Sequence, residues 1–194
     1  MLAAVILSGG ESRRMGLPKA LLEYRGKTFL EHLLEVTRQP KVSTTRVVLG
    51  ADAEKIRQRL SLKEEMIVLN PDWERGQLSS IQAGIRSLPQ TGVDGMILCL
   101  IDHPLISRGL VAALIREFYA HGKRIVVPTY KGKRGHPVIF ASSLFEELLN
   151  APMETGARTV VWAHSREVTE VTTDEQGVIQ NLNDPDTLRR AMES

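Results

Sequence analysis

The chain has 194 residues, of which 42% are hydrophobic and 25% charged, and its net charge is +2 at pH 7. These values exclude a disordered chain, and so weak a positive balance, with no run of four or more basic residues, argues against a nucleic-acid surface. The length suits one domain, residues 1–194, able to bury a sizeable core. The single cysteine, Cys99, lies in an apolar run, which rules out an internal disulfide and fits a cytoplasmic setting.

The opening "MLAAVIL" is apolar but carries no basic leader. It is too short for a signal segment or a membrane span, and no apolar stretch near 18 residues follows. It reads as a first strand over Ala3–Leu7. Further strands are expected at Arg46–Leu49, Met66–Leu69, Met96–Ile101 and Ile125–Pro128. These are near-continuous apolar runs, as parallel strands covered on both faces require. Helical periodicity fills the gaps. Phe29–Arg38 repeats Leu30, Leu33, Leu34 and Thr37, and Ala53–Leu60 follows Asp52 as an N-cap. Leu78–Leu88 stripes Ile81, Ile85 and Leu88. Ser107 caps Arg108–His121, which ends at Gly122. After Tyr130, "YKGKRGHPVIF" reads as two short strands around a glycine turn, an antiparallel excursion. Helices at Ser142–Leu149 and Ala157–His164, a strand at Val168–Thr172 and a helix from Pro185 complete the chain.

Strand–helix alternation predicts a three-layer α/β fold with a mostly parallel, Rossmann-like sheet. Ligands in such sheets sit beyond the C-terminal strand ends. The loops this selects are Ser8–Pro18, Asn70–Gln77, Asp102–Pro104 and Asn181–Asp186.

The first of these contains "LSGGESRRMGLPK", with Gly9, Gly10 and Gly16 and the cations Arg13, Arg14 and Lys19. It is neither a Walker loop nor a dinucleotide fingerprint, since the ending and the spacing are wrong. Its glycines let backbone N–H groups converge on an anion, and Arg14 and Lys19 add charge. A plain basic turn is the competing reading. Asp102 ends the apolar strand "MILCLI". It either caps the helix near Ser107 or holds Mg²⁺ beside phosphates. A basic glycine loop together with a strand-end carboxylate suits a nucleotide–metal complex.

"LSGGESRRMGLPKALL" resembles the signature loop of the nucleotidyltransferases that include the sugar-phosphate and molybdenum-cofactor enzymes. "NPDWERGQLSSIQAGI", "LIDHP", "GKRGHPVIF" and "NLNDPDTL" resemble the molybdenum-cofactor branch, in its order, across nearly the whole chain. The resemblance implies the nucleotide-diphospho-sugar transferase type of three-layer fold. It also implies roles by position. Leu7, Ser8, Gly9 and Gly10 would line the base and ribose, with Asn70, Gly76 and Ser80 completing the base pocket. Arg14 and Lys19 would hold the triphosphate. Asp102 and Asn183 would ligate Mg²⁺. Gly135 and His136 would face the acceptor.

The implied reaction is attack by an acceptor phosphate oxygen on the α-phosphorus of a nucleoside triphosphate, with release of pyrophosphate. An acceptor already anionic needs no general base, so alignment and charge neutralisation carry the chemistry. The acceptor is a phosphorylated small molecule, molybdopterin by resemblance, and a molybdoenzyme or its chaperone is the implied partner. The base is CTP on the longer motif match. GTP is the runner-up, because Leu7-Ser8-Gly9-Gly10 leans toward the Leu-Ala-Gly-Gly pattern of GTP-using relatives. A sugar- or polyol-phosphate acceptor and a non-catalytic nucleotide-binding module are the alternatives. His32, His121 and His164 read as structural histidines. Cys99 reads as a buried apolar group, and Trp73 as an anchor of its loop or, second, as a platform for a planar ring. His136 reads either as solvent-facing or as a contact to an anionic acceptor.

Overall fold

The computed structural model describes residues 1–11 and 16–193. An eight-stranded sheet forms its centre. In chain order the elements are β1 (Leu2–Ser8), β2 (Glu23–Tyr24), β3 (Lys27–Thr28), α1 (Phe29–Thr37), β4 (Val42–Leu49), α2 (Ala53–Arg59), β5 (Ile67–Leu69), α3 (Gln77–Arg86) and β6 (Gly95–Leu100). They continue with α4 (Arg108–His121), β7 (Ile125–Tyr130), β8 (Lys133–Arg134), β9 (Val138–Ala141), α5 (Phe145–Leu149), α6 (Arg158–Ala163), β10 (Val168–Thr172) and α7 (Pro185–Glu193).

The sheet runs β10-β7-β9-β6-β1-β4-β5, with β8 paired to β7. All pairs outside the excursion are parallel: β1 with β4 and β6, β4 with β5, and β10 with β7. The excursion is β9, wedged antiparallel between β6 and β7, while β8 folds back on β7 through Lys131-Gly132. β2 and β3 make a separate small hairpin.

β1 shows why the layers form. All seven of its residues are buried, and their side chains alternate between faces. Leu2 and Ile6 pack into the core beneath α1 and α4. Ala3, Val5 and Leu7 pack into the other, beneath α3 and α5. A strand sandwiched this way leaves only its C-terminal end to approach ligand. Ser107 Oγ accepts from Leu110 N at 3.0 Å and caps α4, and Gly122 closes that helix in the left-handed region at φ 60°. The expected cap of α2 differs. Asp52 stands at the N-cap position, but its carboxylate accepts from Lys55 Nζ at 3.1 Å and not from the helix backbone.

Expected and observed strands agree within a few residues. β4 begins four residues before the expected strand, because Val42, Thr44 and Thr45 pair with β1 although their side chains are only partly buried. No helix among the described residues is long and apolar enough to cross a membrane.

Candidate functional site

The ends of β1 and β6, the turn after β5 and the N-terminus of α3 converge on a pocket of about 230 Å³. Leu7, Gly9, Gly10, Lys19, Ser80 and Asp102 are among its lining residues. Gly9 is required sterically, since a Cβ there would lie 2.6 Å from Ser80 Oγ. Ser80 is itself fixed: Asn70 Nδ2 donates to Ser80 Oγ at 3.0 Å and to Ser79 Oγ at 2.9 Å. Asn70 Oδ1 accepts from Asp72 N at 3.1 Å. The buried Asn70 amide is thus committed on both ends and stands behind the pocket wall as a brace. Trp73 is half-buried. It lines the pocket, and its Cβ packs near Gly9.

Lys19 opens a 3-10 turn, Lys19–Leu21, pinned by buried Ala20 beneath it. Its ammonium donates to Asn183 Oδ1 at 2.5 Å and lies 3.9 Å from Asp102 Oδ2. Lys19 and Asp102 side chains are about one-fifth exposed, so solvent screens the pair only in part. Asn183 reaches this point on a strap formed by residues 176–183. Leu182 N donates to Asp102 O, and His136 N donates to Val178 O, each at 2.8 Å. Val178 and Leu182 are fully buried. Gly177 permits the docking, since a Cβ there would lie 1.6 Å from Leu105 O. The Asp102 side chain does not cap α4; Ser107 does.

Behind Asp102 stand two histidines with ring centroids 5.1 Å apart. His103 is buried, with Nδ1 3.4 Å from Gly177 O and Nε2 4.0 Å from Asp102 Oδ1. Burial pushes its pKa down, against the opposing pull of the Asp102 charge. Burial lowers His136 to about 3, helped by His103. Its Nδ1 is enclosed without a hydrogen-bond partner. His136 is therefore an uncharged ring at neutral pH. A contact from His136 to an acceptor would then be made by a neutral ring and not by a cation.

A second cavity of about 520 Å³ adjoins the first, and Gln77 at the start of α3 lines both. Gly135 and His136 lie on its wall, so the two expected acceptor residues come together. Its floor is apolar, from Leu98, Val127, Val138 and Phe140 of the sheet and Leu78 and Ile81 of α3. Its far wall is the segment Met153–Trp162.

The structure thus gathers Leu7, Gly9, Gly10, Lys19, Gly76, Ser80 and Asp102 around one pocket, with Asn183 bonded to Lys19. Ser8 is buried at the end of β1, off the pocket lining. Arg14, expected at the phosphates, lies outside the described residues. Sequence reasoning missed Gln77, His103 and the α6 wall. The "LIDHP" match contained His103, but only the neighbouring carboxylate had an obvious chemistry. Nothing in the sequence marks α6 as part of a site.

Residues 4–168 match the MobA-like NTP transferase domain family. The chain belongs to that family. Molybdenum cofactor guanylyltransferase of Shewanella sp. (strain ANA-3) is 29% identical over 96% of this chain and 93% of its own. Nicotine blue oxidoreductase of Paenarthrobacter nicotinovorans is 32% identical over 72% of this chain and 71% of its own. Among solved structures, Rv0371c of Mycobacterium tuberculosis H37Rv superposes with a TM-score of 0.87 at 27% identity, covering 100% of this chain and 98% of that one. Its manganese complex superposes with a TM-score of 0.78 at 26% identity, with the same coverage. The fold is that of the nucleotide-diphospho-sugar transferases, and the chain is a nucleotidyltransferase.

Proposed function

We propose that the protein transfers a nucleoside monophosphate from a nucleoside triphosphate to a phosphorylated acceptor of the molybdopterin class. The observation that carries this reading is the pair of adjoining cavities joined at Gln77, with Lys19, Asp102 and Asn183 grouped at the smaller one. The triphosphate lies in the smaller cavity, its phosphates toward Lys19. The acceptor lies in the larger, beside Gly135 and His136.

An acceptor phosphate oxygen attacks the α-phosphorus. The bond from that phosphorus to the α–β bridging oxygen breaks, and pyrophosphate leaves with the electron pair. Lys19 neutralises charge that grows on the leaving group, a contribution of 10²–10³-fold for one well-placed donor in other enzymes. Arg14 adds to it. The oxygen donors of Asp102 and Asn183 suit a hard divalent cation, with phosphate oxygens and water completing its shell. Such a cation, Mg²⁺ in this reading, would supply charge neutralisation on the phosphates when bound. The manganese complex of Rv0371c supports a divalent ion at this fold. Burial disfavours a competing positive charge on the two imidazoles near Asp102.

For the base, the relatives named guanylyltransferases favour GTP over the CTP expected from the longer motif match. Gly9 supports the same choice, because it leaves that part of the wall to the Ser80 hydroxyl. One methyl in a pocket is worth about 1–3 kcal/mol of discrimination. Gly9→Ala would place its methyl against Ser80 and disturb the Asn70 brace as well as the base.

The test is pyrophosphate release with each nucleoside triphosphate, with and without a molybdopterin acceptor. Release that needs both substrates, with GTP preferred, supports the proposal. Nucleotide binding without release would make the chain a binding module. Release with a sugar phosphate in place of the pterin would move the acceptor class. Because one relative is named nicotine blue oxidoreductase, redox conversion of nicotine blue without pyrophosphate release from any nucleoside triphosphate would reject the transferase reading.

A further inference from the structure

Trp162 is the most exposed large apolar residue among those described, at 62% of its full surface. It stands on α6, whose Val160 anchors the helix to the core. The indole lines the larger cavity, and the Arg158 guanidinium lies 6.0 Å from its ring centroid, one helical turn away. A bare indole on the rim of an apolar cavity has surface left to bury. The cavity is more than twice the size of the nucleotide pocket it adjoins, about 520 against 230 Å³. Its floor is an apolar sheet face of Leu98, Val127, Val138 and Phe140. The imidazole on its wall, His136, carries no charge. Arg134 at the same wall is already neutralised by Glu170 at 2.7 Å.

We propose that Trp162 and Arg158 form the recognition edge of the acceptor site, and that they select a flat fused heteroaromatic ring carrying a phosphomonoester on a side arm. The inference rests on the two-cavity transferase reading. A planar ring lies on the apolar floor and buries the indole, and Arg158 stacks with the π system. The arm crosses at Gln77, which places its phosphate on the Lys19 and Asp102 side. An open polyol has hydroxyls at every carbon and would strand them against Leu98, Val127 and Phe140, at the cost of their hydrogen bonds to water. The preference for a ring over a polyol follows from that floor.

The chain has two tryptophans, Trp73 at the smaller cavity and Trp162 at the larger, and because the test removes Trp162 the affinities are read by calorimetry and not by fluorescence. The experiment titrates the full chain, saturated with a GTP analogue carrying a methylene in the α–β bridge, with a pterin bearing a side-chain phosphomonoester. A hexitol phosphate is the comparison probe. Trp162→Phe keeps a ring and is expected within threefold of wild type. Trp162→Ala and Arg158→Ala are expected to weaken pterin phosphate binding tenfold or more. They should leave affinity for the GTP analogue within twofold, which loss of folding would not allow. In turnover, the same two variants should raise the acceptor KM and leave kcat within threefold. Three results would overturn the proposal: unchanged pterin affinity in Trp162→Ala, equal loss of nucleotide affinity, or hexitol phosphate bound as tightly as the pterin. If the wild type binds no nucleoside triphosphate at all, the transferase reading falls, and this inference falls with it. If the acceptor KM is unchanged in Trp162→Ala while transfer proceeds, the recognition edge is overturned and the transferase reading stands.

Discussion

The two adjoining cavities are built in opposite ways. The smaller, proposed for the nucleotide, is formed by backbone at strand ends and by short polar side chains, each braced by a neighbour: Ser80 by Asn70, and Asn183 by Lys19. The larger, proposed for the acceptor, is formed by an apolar sheet face, an imidazole whose charge burial disfavours and a six-residue helix that leaves a tryptophan in solvent. Rigid polar placement serves a step in which charge moves on phosphorus. An apolar floor with an exposed aromatic rim suits recognition of a ring. On the proposed reading, chemistry and selectivity reside in different elements and can be broken separately.

The largest effect is expected at Asp102. Asp102→Ala should lower metal-dependent transfer by at least 10²–10³-fold, with thermal stability changed by no more than about 1 kcal/mol, because Ser107 and not Asp102 caps α4. Parallel turnover assays and melting curves check this; normal turnover would remove the carboxylate from the site. Lys19→Ala should cost about 10²-fold in kcat, with Lys19→Arg recovering part. An effect confined to the acceptor KM would place Lys19 in the wrong cavity.

The strap is the mechanical link between the two halves. Gly177→Ala should destabilise by about 1–3 kcal/mol through overpacking on Leu105. It should also reduce transfer by freeing Asn183 from Lys19. Urea unfolding with a parallel assay separates these; unchanged stability would mean the strap yields easily.

The histidine pair gives a pH signature. In the unfolded chain His136 titrates near its ordinary 6.5, and in the fold near 3. A lowered histidine pKa stabilises the fold above 6.5. That stability is lost as pH falls from 6.5 toward 3, at up to about 1.4 kcal/mol per pH unit for one proton. His103, also lowered, acts with the same sign. Urea melts of wild type and His136→Gln from pH 7.5 to 4 should show a flatter slope in the variant; parallel slopes would contradict it. Smallest of all, Ser107→Ala should cost about 1 kcal/mol of stability and nothing in turnover.

The sequence made the nucleotide side readable because its parts are local. An apolar strand running into glycines and cations, or into a lone aspartate, states its chemistry within a dozen residues. The apolar run of β1 and the stripe of α3 were legible for the same reason. What remained hidden depends on distant contacts. Asn70 looks like a pocket residue until its amide is seen bonded to Ser79 and Ser80. His136 looks like a solvent-facing turn residue, but packing against His103 and the strap strips its charge. α6 has no motif, since a short helix becomes part of a site only by where β9 and α5 deliver it. Asp52 shows the converse: a sound local capping signal was outcompeted by Lys55.

The most direct test of the two-cavity account is calorimetric titration of the GTP analogue blocked at the α–β bridge, alone and with saturating pterin phosphate. Two separate, adjoining sites require a ternary complex, so nucleotide affinity should be unchanged or raised by the second ligand. Mutual displacement, with nucleotide affinity falling in proportion to pterin concentration, would show that both compete for one site and would contradict the account.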